Sequence, residues 1–98
     1  MSLTSSQKRY LRGLAHNLKP VIMVGNKGIT ETLRSEFSRA LEHHELVKVR
    51  LAGEDRGARA EQVTALAVAG GADIVQTIGK VASFYRRNDE TPKIALPK

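Results

Sequence analysis

The stretch VIMVGNKGIT, residues 21–30, joins an apolar run to a glycine-flanked loop and then to the start of a helical pattern. Residues 21–24 predict a short strand, and their lack of polar side chains predicts burial on both faces and a central place in a sheet. Thr30 is a candidate N-cap, and apolar residues follow it at helical spacing: Leu33, Phe37, Ala40 and Leu41. The stretch therefore predicts a strand, a loop and a helix in succession.

A helix is predicted before this stretch. Thr4 followed by Gln7 is typical of a capping box, in which the side chain of each residue accepts a hydrogen bond from the backbone N–H of the other. One apolar stripe follows at spacings of three and four residues: Leu11, Leu14, Ala15 and Leu18. Lys19-Pro20 ends the helix because proline cannot continue it.

The remaining chain predicts one more helix and three strands. Residues 46–51 alternate between apolar and basic side chains, which indicates a strand with one buried face. A helix is predicted at 58–69, ended by Gly70-Gly71, and two strands at 73–78 and 81–85 are joined by a hairpin at Gly79-Lys80. Residues 94–96 either add a short terminal strand or pack on the sheet.

The element order is therefore α-β-α-β-α-β-β. Helices that alternate with strands predict parallel pairs, and the terminal hairpin makes the sheet mixed. We expect a compact two-layer α/β sandwich with a mixed four-stranded sheet, formed by a single domain over residues 1–98. The sequence does not decide the order of the strands.

The charge of the chain is basic and unevenly distributed. The net charge is +6 and the pI about 10.1, and the first acidic residue is Glu31. Five cations and no acid precede it: Lys8, Arg9, Arg12, Lys19 and Lys27. A small basic domain favours a polyanionic partner, most often a nucleic acid. No cysteine and no long apolar run are present, so we expect a cytoplasmic protein without a thiolate metal site or a membrane segment.

The loop of Gly25, Asn26, Lys27 and Gly28 has two interpretations. It is an ordinary turn that requires glycines, or it is a loop shaped to meet a phosphate. The nucleotide-binding patterns G-x-x-x-x-G-K-[ST] and G-x-G-x-x-G are absent, whereas G-x-x-G occurs in RNA-binding folds that clamp a nucleic-acid backbone. The acid-free surroundings favour phosphate. If Lys19 and Lys27 lie at the same end of the sheet, they form one continuous surface.

Other polar groups carry weaker signals. His43 and His44 are adjacent on a helix and diverge by about 100°, so they do not share a metal, and both suit a helix C-terminus. Glu54-Asp55 lies in a glycine-flanked loop unsuited to a catalytic pair. We therefore expect no catalytic site, cofactor, metal or small-molecule substrate.

Two aromatic and two basic residues stand at the end of the last predicted strand. Phe84 and Tyr85 fall on opposite faces of one strand, which makes base stacking weak. Arg86-Arg87 either extends a basic surface or forms a solvated strand end.

Three segments together resemble a known family: LRGLAHNLKPVIMVGNKGIT, ALEHHELVKVRL and IVQTIGKVASFYR. They are similar to the bacterial YhbY proteins, which are stand-alone CRM domains (chloroplast RNA splicing and ribosome maturation). The resemblance extends over nearly the whole chain and implies a fold similar to the C-terminal domain of translation initiation factor 3.

The resemblance also implies a function. It implies RNA binding without catalysis, association with the RNA of the precursor large ribosomal subunit, and assistance in its maturation. The family's G-x-x-G loop maps onto residues 25–28, and its basic first helix onto Lys8, Arg9 and Arg12; we add Lys19 to the expected RNA contacts.

Two other functions remain open from sequence. The basic face could serve a protein-interaction module on assembling ribosomal particles without direct RNA contact, or the chain could be a small enzyme acting on RNA. We expect a monomer in either case.

Overall fold

The computed structural model describes residues 3–98, so residues 1 and 2 of the expected domain lie outside the described part. Three helices and four strands follow the predicted order. The helices are α1 (Ser5–His16), α2 (Glu31–His44) and α3 (Arg56–Gly70); the strands are β1 (Ile22–Met23), β2 (Leu46–Arg50), β3 (Asp73–Ile78) and β4 (Val81–Tyr85).

The strands form one mixed sheet in the order β1-β2-β4-β3. β1 is parallel to β2, whereas β2 pairs antiparallel with β4 and β4 with β3. The predicted hairpin at Gly79-Lys80 joins β3 to β4, and Gly79 adopts a φ of 57° that favours glycine. The mixed four-stranded sheet expected from the sequence is confirmed.

The predicted central place of the first strand is wrong. β1 is an edge strand, and its neighbourhood alternates: Ile22 and Val24 are buried, whereas Val21 is 58% and Met23 67% exposed. An apolar run so short is equally compatible with a strand that buries only one face. Residues 21–24 are all apolar because Val21 and Met23, on the solvent-exposed face, are apolar as well as the two buried residues.

One face of the sheet carries the larger core. α2 and α3 pack together on it, and the apolar side chains of β2 and β4 fill the space beneath. Phe37 of α2 meets Phe84 of β4 edge to face, with ring centroids 5.0 Å apart. The sheet with α2 and α3 forms the α/β sandwich expected from the sequence.

α1 lies on the opposite face of the sheet and forms a further layer. Leu11 and Ala15 are its buried residues, and they pack with Leu46, Val75 and Tyr85. Leu14 and Leu18 of the predicted apolar stripe remain exposed. Of the two alternatives for residues 94–96, the structure shows packing without a strand, since Ile94 and Leu96 lie against this second core.

The helix ends follow the local sequence signals. Thr4 and Gln7 form the predicted capping box, and the hydroxyl of Thr30 accepts from the N–H of Leu33. α3 begins at Arg56, two residues before the prediction, because the carboxylate of Asp55 accepts from the N–H of Ala58 and caps the helix. Gly71 ends α3 in the left-handed conformation.

Candidate nucleic-acid interface

The G-x-x-G loop is a tight turn. The N–H of Gly28 donates to the carbonyl of Gly25 at 3.0 Å, which places Asn26 and Lys27 at the exposed tip. Gly28 has a φ of 74°, a conformation that glycine adopts without strain. The loop is therefore a tight turn, as one of the two interpretations of the sequence holds, and the turn exposes Asn26 and Lys27 to solvent.

Both glycines of the loop border open space. A Cβ added at Gly25 or Gly28 would meet no atom within 4 Å, so neither glycine is required by packing inside the protein. Their missing side chains leave the backbone of the loop accessible to another molecule. The helix beyond contributes less than the sequence suggested, since Glu31 is the first residue of α2 and brings a carboxylate to its positive end.

Two cations outside the predicted set lie beside the loop. The N–H of Val24 donates to the carbonyl of Arg50, and the N–H of Leu51 donates to the carbonyl of Lys80. These bonds bring the end of β2 and the β3–β4 hairpin to the same end of the sheet as the loop. We call Lys27, Arg50 and Lys80 the loop-end cations. The alternation of residues 46–51 predicts that Arg50 is on the exposed face, but only the pairing of β1 with β2 places Arg50 beside the loop.

Lys19 lies at the other end of β1. The N–H of Val21 donates to the carbonyl of Lys48, and the ammonium of Lys48 donates to the carbonyl of Leu18, which holds this segment near the middle of β2. Residues 21–24 separate it from the loop. The condition that Lys19 and Lys27 share one end of the sheet is therefore not met.

The basic residues of α1 form a separate region. α1 begins near the C-terminal segment, where the Gln7 amide donates to the carbonyl of Pro97, and its buried residues contact the Leu46 end of β2. Roughly 13 Å of strand separates Leu46 from Arg50 at about 3.3 Å per residue. Arg9 is exposed, and Lys8 and Arg12 are half-buried beside the apolar stripe. The predicted contacts thus fall into two regions.

Neither alternative for Arg86 is correct. Its guanidinium donates to the carbonyl of Gly70 at 2.8 Å, to the carbonyl of Ser38 at 2.9 Å and to the hydroxyl of Ser38 at 3.2 Å. Arg86 is thus a structural bridge between α2 and the end of α3. Arg87 is exposed and pairs with Asp89 at 3.4 Å.

Glu45 has a structural role that the sequence did not reveal. It is fully buried, has a φ of 62°, and its carboxylate accepts from the N–H groups of Asn88, Lys93 and Ile94 at 2.6, 2.8 and 2.7 Å. Burial raises the pKa of this carboxyl, but the three backbone donors and nearby Arg87 outweigh burial and hold the pKa below its ordinary value.

Other candidate chemistry receives no support from the arrangement of residues 3–98. They contain no group of three or more histidine, cysteine, aspartate or glutamate side chains that could hold a metal. Phe84 and Tyr85 do fall on opposite faces, and both are buried, so neither ring is available for stacking. No helix in this range has the length and apolar character required to cross a membrane.

The family model for the CRS1/YhbY (CRM) domain matches residues 3–86. The chain belongs to the CRS1/YhbY (CRM) domain family. The resemblance seen in the three sequence segments is thereby confirmed, and the match includes the loop, all three helices and all four strands.

Bacterial relatives match along nearly their whole length. A Haemophilus influenzae protein named "RNA-binding protein" is 44% identical over 97 residues, which cover 99% of this chain and 97% of that protein. The "Probable RNA-binding protein YqeI" of Bacillus subtilis is 35% identical over 95 residues, with 97% and 99% covered.

A solved structure supports the fold. The solution structure of the hypothetical protein SAV1595 from Staphylococcus aureus has a TM-score of 0.85 and 38% sequence identity, and the match covers 98% of this chain and 100% of that one. The arrangement of helices and strands described above is therefore similar to that of this solved structure.

Proposed function

We propose that this chain is a non-catalytic, single-domain RNA-binding protein of the cytoplasm that associates with precursor large ribosomal subunit RNA and assists its maturation. The RNA backbone contacts the loop of residues 25–28 through Gly25, Asn26, Lys27 and Gly28. Lys8, Arg9, Arg12 and Lys19 provide further phosphate contacts. The names of the relatives and the family resemblance support RNA as the partner, and the resemblance alone supports the ribosomal source.

The observation that carries this proposal is the open turn at residues 25–28. Its glycines face open space instead of protein atoms, and an exposed lysine stands at its tip. A phosphate can approach the backbone of such a turn closely, while the ammonium of Lys27 neutralises its charge. Arg50 and Lys80 extend the positive surface at the same end of the sheet.

A double substitution, Gly25→Asp with Lys27→Ala, tests the loop. Gly25 is preferable to Gly28 because its backbone has no positive φ, so an added side chain does not strain the turn. We expect RNA affinity to fall at least about tenfold, with a shallower salt dependence, because a cation is lost and a carboxylate stands where a phosphate binds. Titration of labelled structured RNA measures this.

Two controls make the loop experiment decisive. Thermal unfolding should show that the double variant is folded, and Glu54→Gln, an exposed change in the loop after β2, should bind RNA as the wild type does. Wild-type affinity in the folded double variant would refute the loop contact. Crosslinking in cells followed by sequencing of the bound RNA tests the ribosomal source separately.

A protein-docking function is the second candidate. Val68 of α3 is 80% exposed beside a groove shared with Arg34 of α2, and this valine gives the groove an apolar edge. Co-sedimentation with pre-subunit particles that survives nuclease digestion and is lost in Val68→Ser would favour this function. Loss of co-sedimentation on nuclease digestion would favour RNA binding.

A further inference from the structure

Within residues 3–98, no helix lies over half of one sheet face. α1 covers the Leu46 end of this face, whereas a row of four side chains crosses all four strands near the loop end. The pairings Met23 with Arg50, Arg50 with Val81, and Val81 with Ile78 define this row, which we call the cross-strand row. Met23 is 67% and Ile78 65% exposed, so the row presents apolar surface to solvent.

The cross-strand row borders a small groove. Its volume is about 240 Å³, and its lining is formed by His16, Lys48, Gln76, Ile78, Val81 and Ser83. Lys48 and Gln76 both pair with Ser83 across the strands, so they form the next row toward α1. The groove is smaller than the roughly 300–1,000 Å³ of drug-sized ligand sites, and it combines an apolar edge with hydrogen-bonding groups.

The charge of this face indicates a polyanionic occupant. The cross-strand row and the row behind it contain Lys48 and Arg50 and no carboxylate, and Lys80 stands at the adjoining hairpin. A protein partner would have to match these cations with acidic groups beside an apolar strip. RNA supplies both features in every nucleotide, with phosphates for the cations and a flat, largely apolar base for Met23, Val81 and Ile78.

An unpaired base fits this surface better than a base pair does. The bases of an RNA helix are stacked and their edges lie in grooves, whereas the bases of bulges and loops can be splayed out onto a protein surface. The guanidinium plane of Arg50 offers a stacking surface where exposed aromatic rings are lacking on this row. The half-buried Gln76 offers an amide to the base edge, and the buried Ser83 lines the groove beside it.

We propose that the cross-strand row and its groove hold an unpaired nucleobase of the RNA whose backbone the loop of residues 25–28 contacts. The base lies on Met23, Arg50, Val81 and Ile78, and its edge faces the groove. This site rests on the proposed RNA-binding function and adds to it a preference for RNA with bulged or looped nucleotides.

Two RNA probes isolate the contribution of the unpaired base. One is a blunt RNA duplex, and the other is the same duplex with a short uridine bulge. We expect the wild-type protein to bind the bulged duplex more tightly. Met23→Ser with Ile78→Ser should weaken binding of the bulged duplex about fivefold, less than the loss of an aromatic stacking partner, and leave the blunt duplex unaffected.

Matched variants separate this site from the loop and from general surface effects. Val68→Ser replaces an exposed apolar side chain on α3 and should change neither affinity. Gly25→Asp with Lys27→Ala should weaken both probes. Because Met23→Ser with Ile78→Ser removes no charge, its salt dependence should match that of the wild type, whereas the loop variant should show a smaller slope.

The outcomes distinguish the two proposals. Failure of the wild type to bind either probe would contradict RNA binding and this site together. Binding with no bulge preference, or a preference that survives Met23→Ser with Ile78→Ser, would overturn the nucleobase site and leave the loop contact standing. Equal weakening of both probes, or loss of a protein partner with unchanged RNA affinity, would also overturn the site.

A photo-crosslink locates the base directly. With 4-thiouridine in the bulge, irradiation should link the RNA to peptides containing residues 21–24 or 74–83, which carry the cross-strand row on β1, β3 and β4. Crosslinks confined to α2 or α3, on the opposite face, would overturn the assignment.

Discussion

At the residue scale, the buried Glu45 and the half-buried Arg86 hold distant parts of the chain together. Glu45 binds three backbone N–H groups of the segment after β4, and Arg86 bridges α2 to the end of α3. Their respective neighbours in the chain, His44 and Arg87, are exposed. Arg86 and Arg87 are the same residue type side by side, and only their surroundings determine which one stabilises the fold.

Replacing Glu45 with glutamine should destabilise the protein by about 2 kcal/mol near neutral pH. The glutamine amide has one acceptor oxygen, and its NH₂ group would face a backbone N–H donor and leave it without an acceptor. The pKa of Glu45 in the folded protein lies below its ordinary value. The ionised carboxylate therefore contributes fully to the free energy of unfolding above the unfolded-state pKa, and this contribution is lost as the pH falls through the folded-state pKa. Urea unfolding at several pH values measures both effects.

Glu42→Gln is the matched control for this substitution, since Glu42 is an exposed carboxylate on the same helix. The wild type and Glu42→Gln should lose stability together on acidification below about pH 4.5, the ordinary value for this carboxyl. Glu45→Gln should show a flatter profile in that range. Equal acid sensitivity of all three proteins would contradict a stabilising ionised Glu45.

At the element scale, the contact between α2 and α3 depends on a missing side chain. A Cβ at Gly70 would lie 2.8 Å from Phe37 and 2.9 Å from Leu41, both fully buried in α2. The sequence predicted Gly70-Gly71 as a helix stop. The structure divides the two tasks, since Gly71 supplies the left-handed end and Gly70 supplies the close approach.

Gly70→Ala should therefore destabilise the protein by about 1–3 kcal/mol, because the added methyl group overpacks the contact with two rigidly held side chains. Gly57→Ala is the matched control: it lies in the first turns of α3, where a Cβ would meet Asp55 only at 3.4 Å. This control should be neutral or gain up to about 1 kcal/mol of helix propensity. Denaturant unfolding would contradict the packing role of Gly70 if both variants behaved alike.

At the scale of the whole molecule, the basic residues proposed to contact RNA divide between two regions. The loop-end cations gather where β2 and the β3–β4 hairpin meet the loop, whereas Lys8, Arg9 and Arg12 lie on α1 toward the other end of the sheet. The cross-strand row lies on the face that α1 leaves uncovered, next to the loop end. An RNA that contacts both regions must therefore extend across the face that carries α1.

Alanine substitution of each region should lower the RNA affinity and the salt slope independently. Replacing all three loop-end cations should reduce the slope of log K against log salt by about 2–3, as should replacing Lys8, Arg9 and Arg12, because each phosphate contact contributes nearly one unit. The combined variant should show the sum of the two losses, since separated sites act additively.

Arg34→Ala with Arg39→Ala provides the charge control for this experiment, because both side chains are exposed on α2 across the sheet from α1. For each charge removed, this control variant should lower the slope of log K against log salt far less than the loop-end or α1 variants do. An unchanged slope in the α1 variant would remove that helix from the interface, and a combined loss well below the sum would mean that the two regions bind alternative RNA segments.

The amino-acid sequence alone predicts the element order, the capping box, the Thr30 cap, the hairpin at Gly79-Lys80 and the family. These features depend on residues within a few positions of one another, because helix and strand propensities and capping hydrogen bonds act over short distances along the chain. The sequence also identified the loop of residues 25–28 and its lysine, because a glycine pair between a strand and a helix is a local signal.

Which residues share a surface depends on the tertiary fold. β1 lies at the sheet edge because β2 pairs with β4 on its other side, a choice that the apolar run of residues 21–24 does not encode. The same pairing brings Arg50 and Lys80 to the loop and leaves Lys19 at the opposite end. It also buries Glu45 and places Arg86 between α2 and α3, in roles that their neighbours do not share. Burial and strand register arise from contacts between residues far apart in the chain.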